Sequence, residues 1–252
     1  MTDDLHVLRG GRGERLLVFL HGIGANAEVW RPMLATIDKH WRGRWIAPDL
    51  RGHGRSVKAG PFDLHRHAED IAELIAAEAA NKTVLVGHSF GAAVAAAIGS
   101  RDFGATPARV VGFSVKIDWS DNDLARMRGL ADRPRQVFAT QTEAAERALA
   151  FAGLKGMAEA SSAVALAGIE PCEGGFCLAL EPGIFAAVEP GIADVLRGCR
   201  APLRLSSGAN DTVAPVGPMY AIDPQAVTFP DAGHNVHWER PETVWRFVLE
   251  GV

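Results

Sequence analysis

The position in this chain best suited to nucleophilic chemistry is a serine with a glycine two residues away on either side: Gly87-His88-Ser89-Phe90-Gly91. It follows a β-branched apolar run at 83–87 (TVLVG) and opens an alanine-rich run at 90–98. A strand that passes straight into a helix leaves a very tight turn. The residue at its apex is held in strained backbone geometry, and the flanking glycines remove side chains that would clash. The helix that follows points its positive end at the apex, where an oxyanion would develop. A bare Gly/Ser pattern also arises in ordinary turns. Here the strand-turn-helix setting makes Ser89 the candidate nucleophile.

A serine hydroxyl needs a base. His234, in Asp231-Ala232-Gly233-His234, lies between the last strand-like run (225–229) and a helix that opens with Pro241. A loop at that place can carry a histidine to the carboxyl edge of a sheet. An isolated loop histidine is more often a surface residue, but beside the elbow it reads as the base. His237 is the nearest rival and reads as a packing residue beside Trp238. The base in turn needs an acid to hold its tautomer and stabilise its charge. Asp211, in Gly208-Ala209-Asn210-Asp211, follows the run 202–206 (PLRLS) and reaches the same edge. Capping a turn is the ordinary role of such an aspartate, and Asp118, after the run 110–113, is the rival acid. Two backbone amides are candidates for the oxyanion hole. One is Phe90, directly after the serine. The other is Ile23, in His21-Gly22-Ile23-Gly24, whose bland reading is a plain glycine turn.

These residues need a frame that brings several strand ends together. Buried-strand runs occur at 16–20 (LLVFL), 44–50, 83–87 and 110–113. Helical apolar spacing at 28–39, 64–79 and 90–98 separates them. Such alternation predicts an α/β fold with a mostly parallel, doubly wound sheet covered on both faces. The rhythm stops near residue 115 and returns at 202. The stretch between carries helical patterns at 121–130, 142–152 and 157–167, with loops rich in Gly, Pro and Glu. The expectation is therefore a core of residues 1–114 and 201–252 and an inserted helical cap, or lid, of residues 115–200. Trp119, Phe138, Phe151 and Phe176 are candidate pocket residues in the cap, with simple lid packing as the plainer role. Arg126, Arg128, Arg133 and Arg135 also lie there, but sequence alone does not aim them.

The composition limits the function classes. Of the 252 residues, 48% are hydrophobic and 22% charged, with a formal net charge of −4 and no Lys/Arg cluster. This argues for a globular domain and against a nucleic-acid partner. No run approaches the roughly 18 apolar residues of a membrane span, and the first residues do not read as a signal or transit peptide. Cys172, Cys177 and Cys199 make an odd count without metal-ligand spacing. Reduced thiols and a cytoplasmic setting are the simplest reading, with a Cys172–Cys177 pair as the lesser alternative. Neither a metal nor a cofactor is expected, and the expected partner is a small-molecule substrate.

Taken together, HGIG (21–24), DLRGHGRS (49–56), GHSFG (87–91), GANDTVAP (208–215) and DAGHNVHWERPE (231–242) resemble the α/β-hydrolase superfamily. The resemblance covers about residues 16–113 and 202–252. It implies a triad at the carboxyl end of the sheet beneath a cap, and it makes residues 49–56 a structural loop near the site. The N-terminal stretch is short for the family, so reduced edge strands are expected. Serine at position 89 sets the chain apart from the dehalogenases and epoxide hydrolases of this fold, which use aspartate there. The resulting expectation is an acyl-enzyme hydrolase of a small, fairly apolar carboxylic ester. The alternatives are a C–C bond hydrolase of ring-cleavage products and a non-catalytic small-molecule receptor that keeps the triad.

Overall fold

A computed structural model describes residues 4–250. The first strands are β1 (Val7–Gly11), β2 (Arg15–Leu20), β3 (Arg44–Pro48), β4 (Lys82–His88) and β5 (Arg109–Phe113). Helices α1 (Arg31–His40), α2 (Leu64–Glu78) and α3 (Phe90–Gly99) alternate with them from β2 onward. The insertion carries α4 (Asp121–Ala131), β6 (Val137–Phe138), α5 (Gln141–Phe151), α6 (Ala163–Ala167), β7 (Ile169–Cys172), β8 (Gly175–Leu178) and α7 (Ile192–Arg197). The chain closes with β9 (Leu203–Gly208), β10 (Val227–Phe229), α8 (Val236–Glu239) and α9 (Pro241–Leu249).

The main sheet has seven strands in the order β1-β3-β2-β4-β5-β9-β10. All its pairings are parallel except that of β1, which runs antiparallel to β3 at one edge. The central strands are buried along nearly their whole length, as a sheet covered on both faces requires. On one face α1 and α9 pack Met33, Ile37, Val244 and Phe247 against Leu17, Val84 and Val111. On the other, α2 and α3 pack Ile71, Leu74, Val94 and Ile98 against Leu16, Leu85 and Val110. The alanines of α3 hold no bulk between helix and sheet. Pairing Leu20 with Gly87, His88 with Phe113, and Phe113 with Ser206 brings the carboxyl ends of four neighbouring strands to one level. Every candidate catalytic loop leaves from that level or from the adjacent end of β10.

The chain leaves the sheet after β5 and re-enters it at β9, which pairs directly with β5. The interruption of rhythm therefore coincides with an excursion out of the sheet, and none of the insertion's described residues joins the main sheet. The insertion is not purely helical, however. It holds a small antiparallel sheet in the order β6-β8-β7. Its strands are too short to show a period-2 pattern, and Pro171 lies inside one of them. The helix expected at 157–167 shrinks to α6, preceded by turns that use Gly153 and Gly156 at positive φ. The reading of three free thiols is corrected as well. Cys172 and Cys177 lie diagonally across the β7–β8 hairpin and are disulfide-bonded, with Cα atoms 5.9 Å apart, leaving Cys199 free among the described residues. β1 was not anticipated. It is half exposed and lacks a continuous apolar run. Among the described residues, no helix is long and apolar enough to cross a membrane.

Candidate active site

Ser89 stands between β4 and α3 at φ 52° and ψ −119°. A residue bearing a β-carbon avoids this region unless its surroundings impose it. They do so here. The Ser89 amide donates to the Phe113 carbonyl at 2.8 Å, tying the turn to the neighbouring strand. A β-carbon at Gly91 would run into the Leu20 carbonyl, and one at Gly87 into Ala92 and the Gly91 carbonyl. Both glycines of the motif are thus required by close backbone approach.

Asp211 and His234 meet at the same edge. His234 Nδ1–H donates to Asp211 Oδ2 at 2.9 Å. A carboxylate only accepts, so in the neutral ring the proton sits on Nδ1 and Nε2 carries the lone pair. Asp211 Oδ1 accepts the amides of Val213 and Ala214, each at 2.9 Å. The Ser207 hydroxyl lies 3.1 Å from Oδ2 and 2.6 Å from the Ala214 carbonyl, and its one proton serves one of them at a time. Burial alone would raise the Asp211 pKa. The hydrogen bond and charge of His234, with the Ala214 amide, more than offset this and hold the carboxyl well below the usual range. Asp118, the rival acid, is exposed on the loop leading to α4 and makes no ion pair within the described residues.

Beneath His234 lies a buried stack of rings. His88 Nε2–H donates to the His234 carbonyl at 2.9 Å. Burial, reinforced by the nearby His237 and His234, pushes the His88 pKa well down, so its ring is neutral. His237 packs on His88 and on Trp30, with ring centroids 4.5 and 4.4 Å apart. It is a packing residue as read, but its partners are Trp30 and His88 rather than Trp238.

The amides of Phe90 and Ile23 flank Ser89 at one pocket and donate to no other described backbone or side-chain acceptor. The Ile23 loop is fastened from behind. His21 Nδ1–H donates to the Gly22 carbonyl at 2.8 Å, and His21 Nε2 accepts the Leu50 amide at 2.9 Å. His53 Nε2 accepts the Gly24 amide at 3.2 Å, while its Nδ1–H donates to the Arg51 carbonyl at 3.0 Å. Asp49 accepts the amides of Ala27 and Arg55 at 2.7 and 2.9 Å. The segment 49–56 thus holds the site loop in place without entering the cavity.

Ser89, His234, Gly22 and Ile23 form the floor of a cavity of about 780 Å³. The insertion forms its roof, with Trp119, Arg126, Met127, Arg133, Arg147 and Phe151. An apolar recess of about 200 Å³ opens beside Ser89 between Phe90, Ala93, Val115, Trp119 and Ile192. Of the four aromatic candidates, Trp119 and Phe151 reach the cavity. Phe138 and Phe176 instead face each other across β6 and β8. Of the four arginines, Arg126 and Arg133 reach it, Arg135 pairs with Glu170 and Glu181, and Arg128 lies outside the lining. Sequence reading missed Met127, Phe185 and Arg147. Arg147 had one available signal, its place one turn before Phe151 on α5; Met127 and Phe185 had none.

The sequence model of the Alpha/beta hydrolase family matches residues 17–247. A pimeloyl-[acyl-carrier protein] methyl ester esterase of Pectobacterium atrosepticum is 39% identical over 88 residues, which is 35% of this chain and 32% of that protein. A 2-(acetamidomethylene)succinate hydrolase of Mesorhizobium japonicum is 40% identical over 89 residues, 35% of this chain and 31% of that protein. The match thus spans about a third of either relative's length. A solved structure of E-2-(acetamidomethylene)succinate hydrolase superposes with a TM-score of 0.81 at 25% identity, covering 98% of this chain and 94% of that one.

Proposed function

Because the chain belongs to the alpha/beta hydrolase family, we propose that it cleaves a small, fairly apolar carboxylic ester through an acyl-enzyme, with Ser89 as nucleophile, His234 as base and Asp211 as the orienting acid. The observation that carries this reading is the 2.9 Å hydrogen bond from His234 Nδ1 to a fully buried Asp211 side chain, at the edge where Ser89 is held at positive φ. His234 Nε2 takes the Ser89 proton as Oγ attacks the ester carbonyl. The amides of Phe90 and Ile23 stabilise the oxyanion, and Asp211 stabilises the imidazolium. The proton then passes to the leaving alcohol, and water, activated by the same histidine, releases the acid. Residues 115–200 act as the cap that shelters these steps from solvent. The reaction as written uses neither metal nor cofactor. One curated relative is named a methyl ester esterase and the other a hydrolase, which supports hydrolysis as the reaction class.

The test pairs a covalent probe with turnover. A fluorophosphonate should label the protein, and a series of p-nitrophenyl esters should be cleaved. Ser89→Ala should lose labelling and at least about 10⁴-fold in kcat while keeping its circular dichroism spectrum. A Ser89→Ala protein with near-normal turnover would overturn the proposal.

A further inference from the structure

We infer that the ester is apolar only on the limb beside Ser89 and carries an anionic group on the limb beneath the insertion, and that Arg126, Arg133 and Arg147 form the site that binds it. The inference rests on the hydrolase reading for the position of the ester carbonyl at Ser89. The cavity there has two unlike parts. The 200 Å³ recess beside Ser89 is walled by apolar side chains, apart from Lys116 at its edge. The wider part, roofed by the insertion, is lined by three guanidiniums. A substrate with its carbonyl at the serine extends one limb into each.

The pairing of the arginines separates those that face the cavity from most of those that do not. Arg135 is paired with Glu170 and Glu181, Arg197 with Asp194, and Arg200 with Asp102. Arg126, Arg133 and Arg147 have no carboxylate within ion-pair distance among the described residues, and all three line the cavity. Among the insertion's other arginines, only Arg128 is likewise unpaired. The fourth cation of the lining, Lys116, is already engaged. Its Nζ lies 2.9 Å from Asp123 and 4.9 Å from the Trp119 ring centre. Asp123 is the only carboxylate in that lining, and the Lys116 hydrogen bond together with Ser120 holds its pKa down to about 2. The lining therefore keeps three uncompensated positive charges. Arg147 Cζ lies 4.6 Å from the centre of the Phe151 ring, a contact that uses none of its N–H donors. Arg126, Arg133 and Arg147 are exposed to the solvent that fills the cavity, and planar guanidiniums gathered at a concave surface recognise carboxylate or phosphate through paired charge-assisted hydrogen bonds and raise the local concentration of anions.

Matched esters distinguish which limb bears the charge and which anion it is. The acyl pair is p-nitrophenyl butyrate and mono-p-nitrophenyl glutarate. The alcohol set is phenyl butyrate, 4-carboxyphenyl butyrate and 4-(butyryloxy)phenyl phosphate. At low salt, at least one anionic member should exceed its neutral partner by about 10-fold or more in kcat/KM. That ratio should fall several-fold in each of Arg126→Gln, Arg133→Gln and Arg147→Gln. It should approach one in the triple variant and in about 1 M salt, where the screening length is roughly 3 Å. Arg128→Gln should leave it unchanged. A ratio near one for every anionic member, in a protein that cleaves neutral esters and labels at Ser89, overturns the anion site and leaves the hydrolase reading standing. Calorimetric titration of Ser89→Ala with glutarate, phenyl phosphate and uncharged butyramide judges the site without chemistry. Either anion binding about 10-fold more tightly than butyramide, with the preference lost in the triple variant, supports it. Equal binding of all three overturns it whatever becomes of Ser89.

Discussion

At the floor of the cavity, Asp211 accepts hydrogen bonds from two backbone amides and from His234. At the roof, three arginines have no carboxylate partner among the described residues. The same division runs through the composition. All nine histidines lie outside residues 115–200, and that stretch carries seven of the arginines. Five histidines (His21, His53, His67, His88 and His237) are buried in the floor and its supports. The chemistry of bond breaking requires fixed directions, so its groups are held by backbone. Recognition of a substrate's periphery requires groups left unsatisfied until the substrate arrives. A polar group with all its partners is structural or positioned; one without them at a concave surface is available for binding.

The sharpest way to break this comparison is to exchange the acids of floor and roof. Asp211→Asn should lower kcat by about 10⁴-fold with the fold unchanged, because the imidazole then favours the wrong tautomer. Asp118→Asn should stay within about 2-fold of wild type, since an exposed side chain on the way to α4 holds no partner in place. Turnover of p-nitrophenyl butyrate, with circular dichroism as the folding control, measures both. Loss of activity in Asp118→Asn alone would put the catalytic acid in the roof and dissolve the distinction.

A second test uses acid. Burial pushes His67 down to about 4 and His237 to about 3, and the desolvated rings of His21, His53 and His88 are lowered too. In the unfolded chain these groups take up protons near 6.5. Between that value and their folded pKa the unfolded state binds more protons. Stability is therefore full above about pH 6.5 and is lost as pH falls toward 4. For His67 alone the loss at pH 4 is on the order of 3 kcal/mol. Among the described residues His67 has no hydrogen-bond partner on either nitrogen, and it packs edge-on to Phe90, so His67→Leu should flatten the fall of Tm between pH 6.5 and 4.5. The histidine-free insertion should add nothing to it. An unchanged Tm profile in His67→Leu would show that the ring has found a polar partner on charging.

The floor was legible in the sequence because local turn chemistry specifies it. Gly87 and Gly91 are there because no β-carbon fits, Asp211 follows its strand by a short turn, and His234 lies between a strand and a proline-started helix. These are short-range facts with residue signatures. In the roof the helices α4 and α5 were legible from their periodicity, but the rest resisted reading because its elements are short and its residues are placed by contacts distant in sequence. Phe138 and Phe151 looked alike in sequence, yet one pairs with Phe176 and the other lines the cavity. Arg133 and Arg135 are two residues apart, yet only the first is left for a ligand. The β7–β8 hairpin, with Pro171 in one strand and glycines at its turn, offered no alternation to find, and its disulfide followed from that hairpin rather than from cysteine spacing.

The smallest expected effect lies where floor and support meet, at His88. Its Nε2–H holds the carbonyl of His234, the residue proposed as the base. Its other nitrogen is buried without a hydrogen-bond partner among the described residues. His88 does not touch the reacting atoms on this account; it positions the loop that does. His88→Phe keeps the ring shape and removes the donor, leaving the His234 carbonyl without that bond. A lost hydrogen bond of this kind is worth about 1 kcal/mol, so kcat should fall by roughly 5- to 10-fold with KM little changed. His88→Gln, whose Nε2 can reach the same carbonyl, should recover most of the loss. Because burial keeps His88 neutral across the working range, the shape of the kcat–pH profile should not change in either variant; only its height should. A filler role predicts that phenylalanine is harmless and glutamine is the worse substitution. A proton-relay role predicts a displaced acid limb. The positioning role stands only if phenylalanine lowers the profile, glutamine restores it, and neither moves it along the pH axis.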